Sequence, residues 1–294
     1  MEITTAPRDK KAYGLETMKL PENLWKFVLP IPLIMFVLSL VILGYSFLAT
    51  GSVIGRDIEL TGGKMIVFDA NGDVDTLAAH FPYARFQKSV GVSTSIIAQI
   101  PYEKNETAFI EEITPIIHFS GSPSVRLVEP ALGSLFYEHT ITAVLFALVA
   151  MSIVIFVLFR RLVPSVIIMS SVILDITTTV AIMNLLQINL SMPVLAALLT
   201  IIGYSVDTDI LLMTSLLKEG QANVGEKIWR ATKTGLTMTS TTVVALISLY
   251  FLTGAFVLEQ IALVLIIGLV MDVIITWTTN AGVLRWYVER GKTL

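Results

Sequence analysis

Four aspartates lie within long apolar stretches of this 294-residue chain, and no lysine or arginine lies in the same stretches. The stretches and their aspartates are Pro164–Leu186 with Asp175, Pro193–Leu217 with Asp207 and Asp209, and Ile261–Leu284 with Asp272. At a helical rise of about 1.5 Å per residue, each stretch crosses a bilayer core of about 30 Å and holds its carboxyl groups near the midplane. Insertion scales put one such aspartate at about 2.5–3.5 kcal/mol, or on the order of 10 kcal/mol for four. A cost of that size predicts a functional site.

The chemistry open to these carboxyl groups is the binding and release of cations. Burial in an apolar medium disfavours the charged form of a carboxyl group, so an aspartate without a basic partner can take up and release a proton near neutral pH. Intramembrane carboxyl groups mark proton relays and ion pathways in transporters. The alternative is that the aspartates are protonated structural residues, bonded to neighbouring hydroxyl or backbone groups.

Hydroxyl-bearing and small residues accompany the aspartates at helical spacing, which places each set on one face of its helix. The sets are Ser171, Asp175, Thr178 and Thr179; Thr200, Gly203, Asp207 and Thr214; and Gly268, Asp272, Thr276 and Thr279. Another apolar run, the fifth in chain order, adds further hydroxyl groups: Thr234, Thr237, Thr239, Ser240, Thr241 and Thr242. Gly203, one turn from Asp207, would let a neighbouring helix approach closely. We expect the polar stripes to converge inside one bundle.

Asp175 and Asp207 are the main candidates for proton or ion coupling, because each lies on a polar stripe. Asp209 lies about 200° round the helix from Asp207, so these two carboxyl groups cannot form a pair on one face. Asp209 is nearer Ser205 and an apolar face, and we expect it to face another subunit. Asp272 lies on a stripe, but it too could serve a subunit contact.

The composition indicates a multi-span membrane protein and excludes several functional classes. The chain is 54% hydrophobic and only 15% charged, whereas soluble domains are nearer one quarter charged. Its net charge of −3 gives no case for nucleic-acid binding. It has no cysteine, and its three histidines lack metal-ligand spacing, so we expect neither a metal nor a cofactor. No nucleophile–base pair or phosphate-binding loop is present, so we do not expect an enzyme.

Six apolar runs are long enough to cross a membrane, namely Phe27–Leu48, Ile141–Phe159, Pro164–Leu186, Pro193–Leu217, Thr234–Leu252 and Ile261–Leu284. Basic residues flank the runs on one side: Arg8, Lys10, Lys11, Lys19, Lys26, Arg160, Arg161, Lys218, Lys227, Arg230, Lys233, Arg285, Arg290 and Lys292. The short loops on the other side, Gln187–Met192 and Thr253–Gln260, have no lysine or arginine. The positive-inside rule therefore predicts that both termini are cytoplasmic. The loop Lys218–Lys233 is either an amphipathic segment at the cytoplasmic surface or a solvated connector.

The long segment between the first two runs is predicted to form a small extracytoplasmic domain. Its pattern reads strand Lys64–Phe68, helix Asp73–Phe81, strands Ala84–Val90 and Ser93–Ile100, helix Thr107–Phe119 and strand Ser124–Glu129. This βαββαβ order is that of the ferredoxin-like fold. A domain of about 65 residues is marginal alone, so we expect it to dock on the membrane part or on a partner. The predicted domains are an arm (1–26), a first helix (27–48), the external domain (49–139), a five-helix bundle (140–285) and a tail (286–294).

Four segments resemble motifs of one family. Gly55–Gly63 resembles a G-x-D-F-x-G-G motif, and Val128–Gly133 resembles V-G-P-x-x-G. Leu195–Val206 and Thr237–Thr242 are similar to the fourth- and fifth-span motifs. Together they resemble the SecF family of protein-export membrane proteins, which belongs with SecD to the resistance–nodulation–division superfamily. The resemblance runs from residue 27 to 285.

The resemblance implies a six-helix half-transporter fold and a role in late steps of protein translocation, coupled in bacteria to the proton gradient. It places the family's third-span aspartate at Asp175. The sequence departs from the bacterial pattern at Asp207, where those members have asparagine and where the related SecD motif has aspartate. Asp272 also lies where many bacterial members have small or polar residues. These departures resemble archaeal members.

The expected function is that of an accessory subunit which acts with SecD beside the Sec translocon channel, the SecY complex, in the cytoplasmic membrane. Its aspartates would respond to a proton or sodium gradient, with Thr178, Thr200, Gly203 and Thr241 as supporting residues. The external domain would contact the translocating polypeptide. One alternative is a self-contained proton-driven exporter of lipids or small hydrophobic compounds. Another is a structural stabiliser of the channel, whose aspartates would tolerate amide replacement.

Overall fold

The computed structural model describes residues 30–90, 94–119, 121–160, 162–217, 223–253 and 255–289. The predicted arm 1–26 and residues 290–294 of the predicted tail lie outside this part of the chain. The long helices are α1 (Pro30–Thr50), α5 (Pro130–Phe159), α6 (Leu162–Leu185), α7 (Met192–Leu217), α8 (Val224–Leu252) and α9 (Phe256–Ile275). A π-helical turn, Thr276–Asn280, joins α9 to α10 (Ala281–Glu289). Within the described residues, six helices are long and apolar enough to span a membrane, which confirms the predicted number.

The external domain lies between α1 and α5. Its elements are α2 (Ile58–Thr61), β1 (Gly63–Phe68), α3 (Val74–His80), β2 (Arg85–Val90), β3 (Thr94–Ile100), α4 (Glu106–Ile113) and β4 (Ser124–Val128). The four strands form one sheet in the order β2-β3-β1-β4, and all neighbours are antiparallel. This order and the two helices between the strands confirm the predicted ferredoxin-like fold. Asp73 and Asn105 begin α3 and α4, since each side chain accepts a backbone N–H of the first turn.

The two faces of the sheet have different partners, because side chains alternate along a strand. Ile66, Phe68 and Ile96 on one face pack against α3 and α4 and form the core of the domain. On the other face, Met65 and Ile97 pack against Ile58 of α2, and Phe256 at the start of α9 adjoins this cluster. The domain is therefore docked on the membrane bundle, as its small size leads one to expect.

Helix α9 is the centre of the bundle and packs against α6, α7 and α8. Ile201 of α7 is fully buried against Val264 and Leu265 of α9. The two helices approach closely because Gly268 leaves room for Ile201. By contrast, α1 and α5 expose most of their apolar side chains, as expected for helices that face lipid. The close packing of α6, α7 and α9 holds their midpoints together.

Helix α8 begins ten residues before the predicted fifth span. The side chain of Asn223 accepts the N–H of Glu226 and so starts the helix before the apolar run. Lys233 lies over the ring of Trp229, within this first part of the helix. Residues 223–233 of the predicted connector are therefore cap and helix, while 218–222 lie outside the described residues.

Candidate functional site

Three of the four intramembrane aspartates meet where α6, α7 and α9 cross. They are Asp175 of α6, Asp209 of α7 and Asp272 of α9, and they are 0%, 2% and 0% exposed. Asp175 lies near the middle of α6, Asp209 lies within about five residues of the middle of α7, and Asp272 lies near the middle of the apolar span Phe256–Tyr287, which continues past α9. The meeting point therefore lies at the depth that the sequence predicts for the bilayer midplane. We call these three residues the carboxyl cluster.

Hydroxyl and amide groups connect the cluster across all three helices. Ser205 of α7 donates to Asp175 Oδ2 on α6. Thr208 of α7 donates to Asp272 on α9, at 3.1 Å to Oδ2 and 3.3 Å to Oδ1. Helices α6 and α9 are therefore each tied to α7 by a hydrogen bond that ends on a cluster carboxyl group.

The π-helical turn supplies the remaining donors. Thr276 Oγ1 lies 3.2 Å from Asp272 Oδ1 and 3.3 Å from Asp209 Oδ1, so one hydroxyl bridges two carboxyl groups. Asn280 Nδ2 donates to Asp209 Oδ1 at 2.5 Å. Both Thr276 and Asn280 lie in the turn itself. Such turns are rare and frequently occur at functional sites.

The cluster has more acceptors than donors. Asp175 Oδ1 and Asp209 Oδ2 are buried and have no hydrogen-bond donor among the described residues. No basic side chain in the described part of the chain is paired with the three carboxyl groups that meet here. The arrangement therefore requires at least one bound proton or another cation, because an uncompensated buried charge is very costly.

Further polar side chains surround the cluster without bonding to it. The hydroxyl groups of Ser171 and Thr179 on α6 are buried and lack a partner among the described residues, as does that of Thr279. Thr178 donates to the backbone carbonyl groups of Leu174 and Asp175 instead of a carboxyl group. Ser171, Thr178 and Thr179 share with Asp175 one buried face of α6.

Asp207 is not part of the cluster. It lies on the exposed face of α7, and the described residues give it no hydrogen bond or ion pair. The structure therefore contradicts the expectation that the Asp207 stripe meets the others inside the bundle, and the expectation that Asp209 faces another subunit. A coupling role for Asp207 stays a prediction. Asp207 and Asp209 do lie on opposite faces of α7, as their spacing of two residues predicts. It is Asp209, however, that points into the bundle.

Helices α7 and α8 each have an exposed polar face, and we call the two together the outer polar face. Its exposed residues are Thr200, Tyr204, Asp207 and Thr214 of α7 and Thr234, Thr237, Ser240 and Thr241 of α8. A shallow groove of about 400 Å³ is lined by Lys233, Thr234, Thr237, Met238 and Thr241. A Cβ atom at Gly203 would meet nothing within 4 Å, so space for another helix is open beside Asp207. Three of the predicted supporting residues, Thr200, Gly203 and Thr241, thus accompany Asp207 and not the cluster.

Sequence reasoning missed two residues of the cluster's immediate surroundings. Thr208 lies beside both fourth-run aspartates and was not assigned to a stripe. Asp272, Thr276 and Asn280 follow one another at intervals of four residues. This helical spacing could have predicted that Asn280 lies on the same face as Asp272.

Comparisons with known proteins identify the family. Residues 114–290 match the model of the family described as protein export membrane protein SecD/SecF, C-terminal. The chain is 36% identical over 265 residues to the protein-export membrane protein SecF of Pyrococcus furiosus, covering 88% of this chain and 90% of that protein. It is 35% identical over 281 residues to SecF of Methanocaldococcus jannaschii, covering 90% and 96%.

A solved structure has the same fold. The crystal structure of SecDF, a translocon-associated membrane protein from Thermus thermophilus, superposes with a TM-score of 0.69 at 22% identity. The match covers 90% of this chain but only 38% of the SecDF chain. Both SecF relatives described above are archaeal, in agreement with the archaeal character of the sequence motifs. This chain therefore belongs to the SecF family of protein-export membrane proteins.

Proposed function

We propose that the chain is the SecF subunit of a SecD–SecF complex, which promotes export or membrane insertion of proteins by the Sec channel and is driven by a cation gradient. The observation that carries the coupling is the carboxyl cluster: three buried acids on three helices, with no ion-pair partner in the described part of the chain. The proposal makes the chain a transport subunit and not an enzyme, in the cytoplasmic membrane with both termini inside.

The cation is in the first instance a proton. A proton on Asp175 would neutralise a buried carboxyl group whose Oδ1 has no hydrogen-bond donor among the described residues. No group of three or more acidic or histidine residues in the described segments has the spacing of a metal site. Sodium remains the second candidate, because its ligands would be carboxyl and hydroxyl oxygens of the kind present here.

Proton exchange at the cluster would change helix packing. Ser205 and Thr208 reach from α7 to carboxyl groups on two other helices, so a change of charge on Asp175 or Asp272 alters what these hydroxyl groups bind. Thr276 bridges Asp272 and Asp209 and responds to both. The cluster therefore supplies a site whose protonation biases the arrangement of α6, α7 and α9.

The outer polar face is proposed as the contact with SecD. An aspartate at the bilayer midplane is costly on a lipid-facing surface, so Asp207 requires a polar or basic partner. The open space at Gly203 and the exposed hydroxyl groups of α8 are typical of helix–helix contacts within membranes. The external domain, on the other side of the membrane from Lys227 and Arg230, is proposed to contact the translocating polypeptide.

The test is export by proteoliposomes that contain the Sec channel, SecD and this chain, with and without an imposed gradient. We expect Asp175→Asn, Asp209→Asn and Asp272→Asn each to lower gradient-dependent export by about tenfold or more, the factor that corresponds to about 1.4 kcal/mol. Asp69→Asn, at an exposed carboxylate of the external domain that accepts from Ser95, is the matched control.

A proton ionophore and a sodium ionophore, added separately, identify the cation. If only the proton ionophore abolishes gradient-dependent export, the coupling cation is the proton. If only the sodium ionophore does so, the coupling cation is sodium. Unchanged gradient dependence in all three amide variants would refute a coupling role for the cluster.

A further inference from the structure

Glu59 lies buried at the junction between the external domain and the membrane bundle. It belongs to α2 and is 7% exposed. Its two carboxylate oxygens bind two different parts of the molecule. Oε1 lies 2.9 Å from Nη1 of Arg126 on β4, and Oε2 accepts the backbone N–H of Met192 at 3.0 Å. One side chain thus bonds to the sheet of the external domain and to the first residue of α7.

The bond to Met192 is made at the positive end of a long helix. The first N–H groups of a helix have no partner within it, and the helix dipole favours a negative charge there. Ser191 also lies near this end, with its hydroxyl 3.4 Å from the N–H of Val194. Glu59 therefore serves α7 as a capping group supplied from another segment of the chain.

The backbone beside Glu59 is joined to the same place. The N–H of Asp57 donates to the carbonyl of Leu190 at 2.9 Å, and the N–H of Leu190 donates to the carbonyl of Gly55 at 2.7 Å. A Cβ atom at Gly55 would lie 2.3 Å from Asn189 Oδ1, so any larger residue at this position requires the Asn189 side chain to shift. The segment before α2 is thus paired with the loop between α6 and α7.

That loop joins the two helices that meet at the carboxyl cluster. Asp175 lies on α6, before the loop, and Ser205, Thr208 and Asp209 lie on α7, after it. From Met192 to Ser205 the helix rises by about 20 Å, at about 1.5 Å per residue. A helix transmits displacement along its axis, so a movement of α7 at the cluster reaches the carboxylate of Glu59.

We propose that Glu59 is a positioning residue that transmits movement of α7 to the sheet of the external domain through Arg126. The inference rests on the proposed function, since it supplies the mechanical step between the cluster and the polypeptide-binding side. Arg126 is half-exposed and anchored on β4, whereas the Glu59 carboxylate is buried, so the pair joins the start of α7 to the outer strand of the sheet.

The chain has no cysteine, so two engineered cysteines can be spin-labelled without background. Glu103→Cys on the external domain and Leu186→Cys at the end of the bundle are both at exposed positions. The distance between the labels is measured in the full-length chain with SecD in proteoliposomes. We expect a narrow distribution that shifts when Asp175→Asn is added.

Removal of the link should abolish the shift. In Glu59→Ala and, as a second variant, Arg126→Ala, we expect a broader distribution that Asp175→Asn no longer moves. Arg126→Ala changes a half-exposed side chain, so it tests the link if Glu59→Ala fails to fold. Glu59→Gln keeps an oxygen for the N–H of Met192 and should restore part of the shift. Glu106→Ala, which breaks the Lys64–Glu106 ion pair elsewhere in the domain, is the control.

The outcomes separate this inference from the proposed function. If Glu59→Ala and Arg126→Ala leave both the width and the shift unchanged, or if Glu106→Ala broadens the distribution equally, Glu59 is not the link. If the cluster variants keep gradient-dependent export while Glu59→Ala still removes the shift, the link stands and the proposed coupling fails.

Discussion

A single methyl group at position 268 should separate α7 from α9. In Gly268→Ala, the new Cβ would lie 2.2 Å from Cδ1 and 2.6 Å from Cγ1 of Ile201, which is fully buried. Ordinary carbon–carbon contact needs about 3.5–4.0 Å, so the helices must part by about 1.5 Å or Ile201 must leave its preferred rotamer. Overpacking of this kind costs about 1–3 kcal/mol, offset by the roughly 1 kcal/mol that alanine gains over glycine in a helix.

The same displacement should reach the cluster. Gly268 lies one turn before Asp272, and the bond from Thr208 to Asp272 is already 3.1 Å long. An opening of about 1 Å takes it beyond hydrogen-bonding distance. We therefore expect Gly268→Ala to lower gradient-dependent export together with thermal stability, by about 2–4 °C for each kcal/mol in a chain of this size.

Gly203→Ala is the matched control, because a Cβ atom there meets nothing within 4 Å. Thermal unfolding of the detergent-solubilised chain, followed by fluorescence, should show no loss of stability in this variant. Co-purification with SecD should instead weaken, since the methyl group fills the outer polar face beside Asp207. If Gly268→Ala is as stable as Gly203→Ala and exports normally, the close approach of α7 and α9 does not have the role assigned to it.

Three further predictions concern the two sides of α7 and the junction. Asp209→Asn should impair gradient-dependent export with SecD still bound, whereas Asp207→Asn should chiefly weaken SecD co-purification; the reverse pattern would contradict the assignment of the two faces. Burial raises the pKa of Asp57 from 3.8 to about 6. Because the folded value is the higher, the stability contributed by neutral Asp57 is present below about pH 4 and is lost as pH rises to about 6, by about 3 kcal/mol at 1.36 kcal/mol per pH unit. Asp57→Asn keeps the helix cap, and it should remove this pH-dependent loss of stability from unfolding curves measured between pH 4 and 7. If the stability of the variant still falls over this range, another group causes the loss. Gly55→Ala should disturb the junction by collision with Asn189 and lower the thermal stability of the chain by about 1–3 kcal/mol, and an unaffected unfolding temperature would show that the loop adapts.

The six spans and the external fold were predictable because each rests on a strong local pattern. Long apolar runs predict the spans, and short strand-like runs separated by helix-capping residues predict the sheet. The predicted fifth run begins ten residues after the true start of α8. The hydropathy pattern detects only the apolar part of the helix, whereas the helix itself begins at the capping residue Asn223. The register of β1 against β3 and β4 could not come from pattern alone, because it depends on contacts between distant segments.

The carboxyl cluster was predictable only in part. Asp175 and Asp272 were found on their stripes, and both are buried. On α7 the inward-facing aspartate was predicted wrongly, because that helix has polar residues on opposite faces and a helical pattern does not say which face is inward. The tertiary contacts decide it: Ile201, Ser205 and Leu212 lie on the buried side, and Asp209 is buried with them.

Helix α7 separates the carboxyl cluster, which contains Asp209 on one face, from Asp207 on the opposite face. With its side chains an α-helix is about 10 Å across. Two unit charges at that separation interact by about 1–2 kcal/mol at an effective dielectric constant of about 20. If SecD binds at Asp207 as proposed, any charge that it brings there would contribute to the electrostatic field at Asp209. Assembly of the complex and proton binding at the cluster would then be linked across α7, and each would alter the other by about tenfold in equilibrium constant.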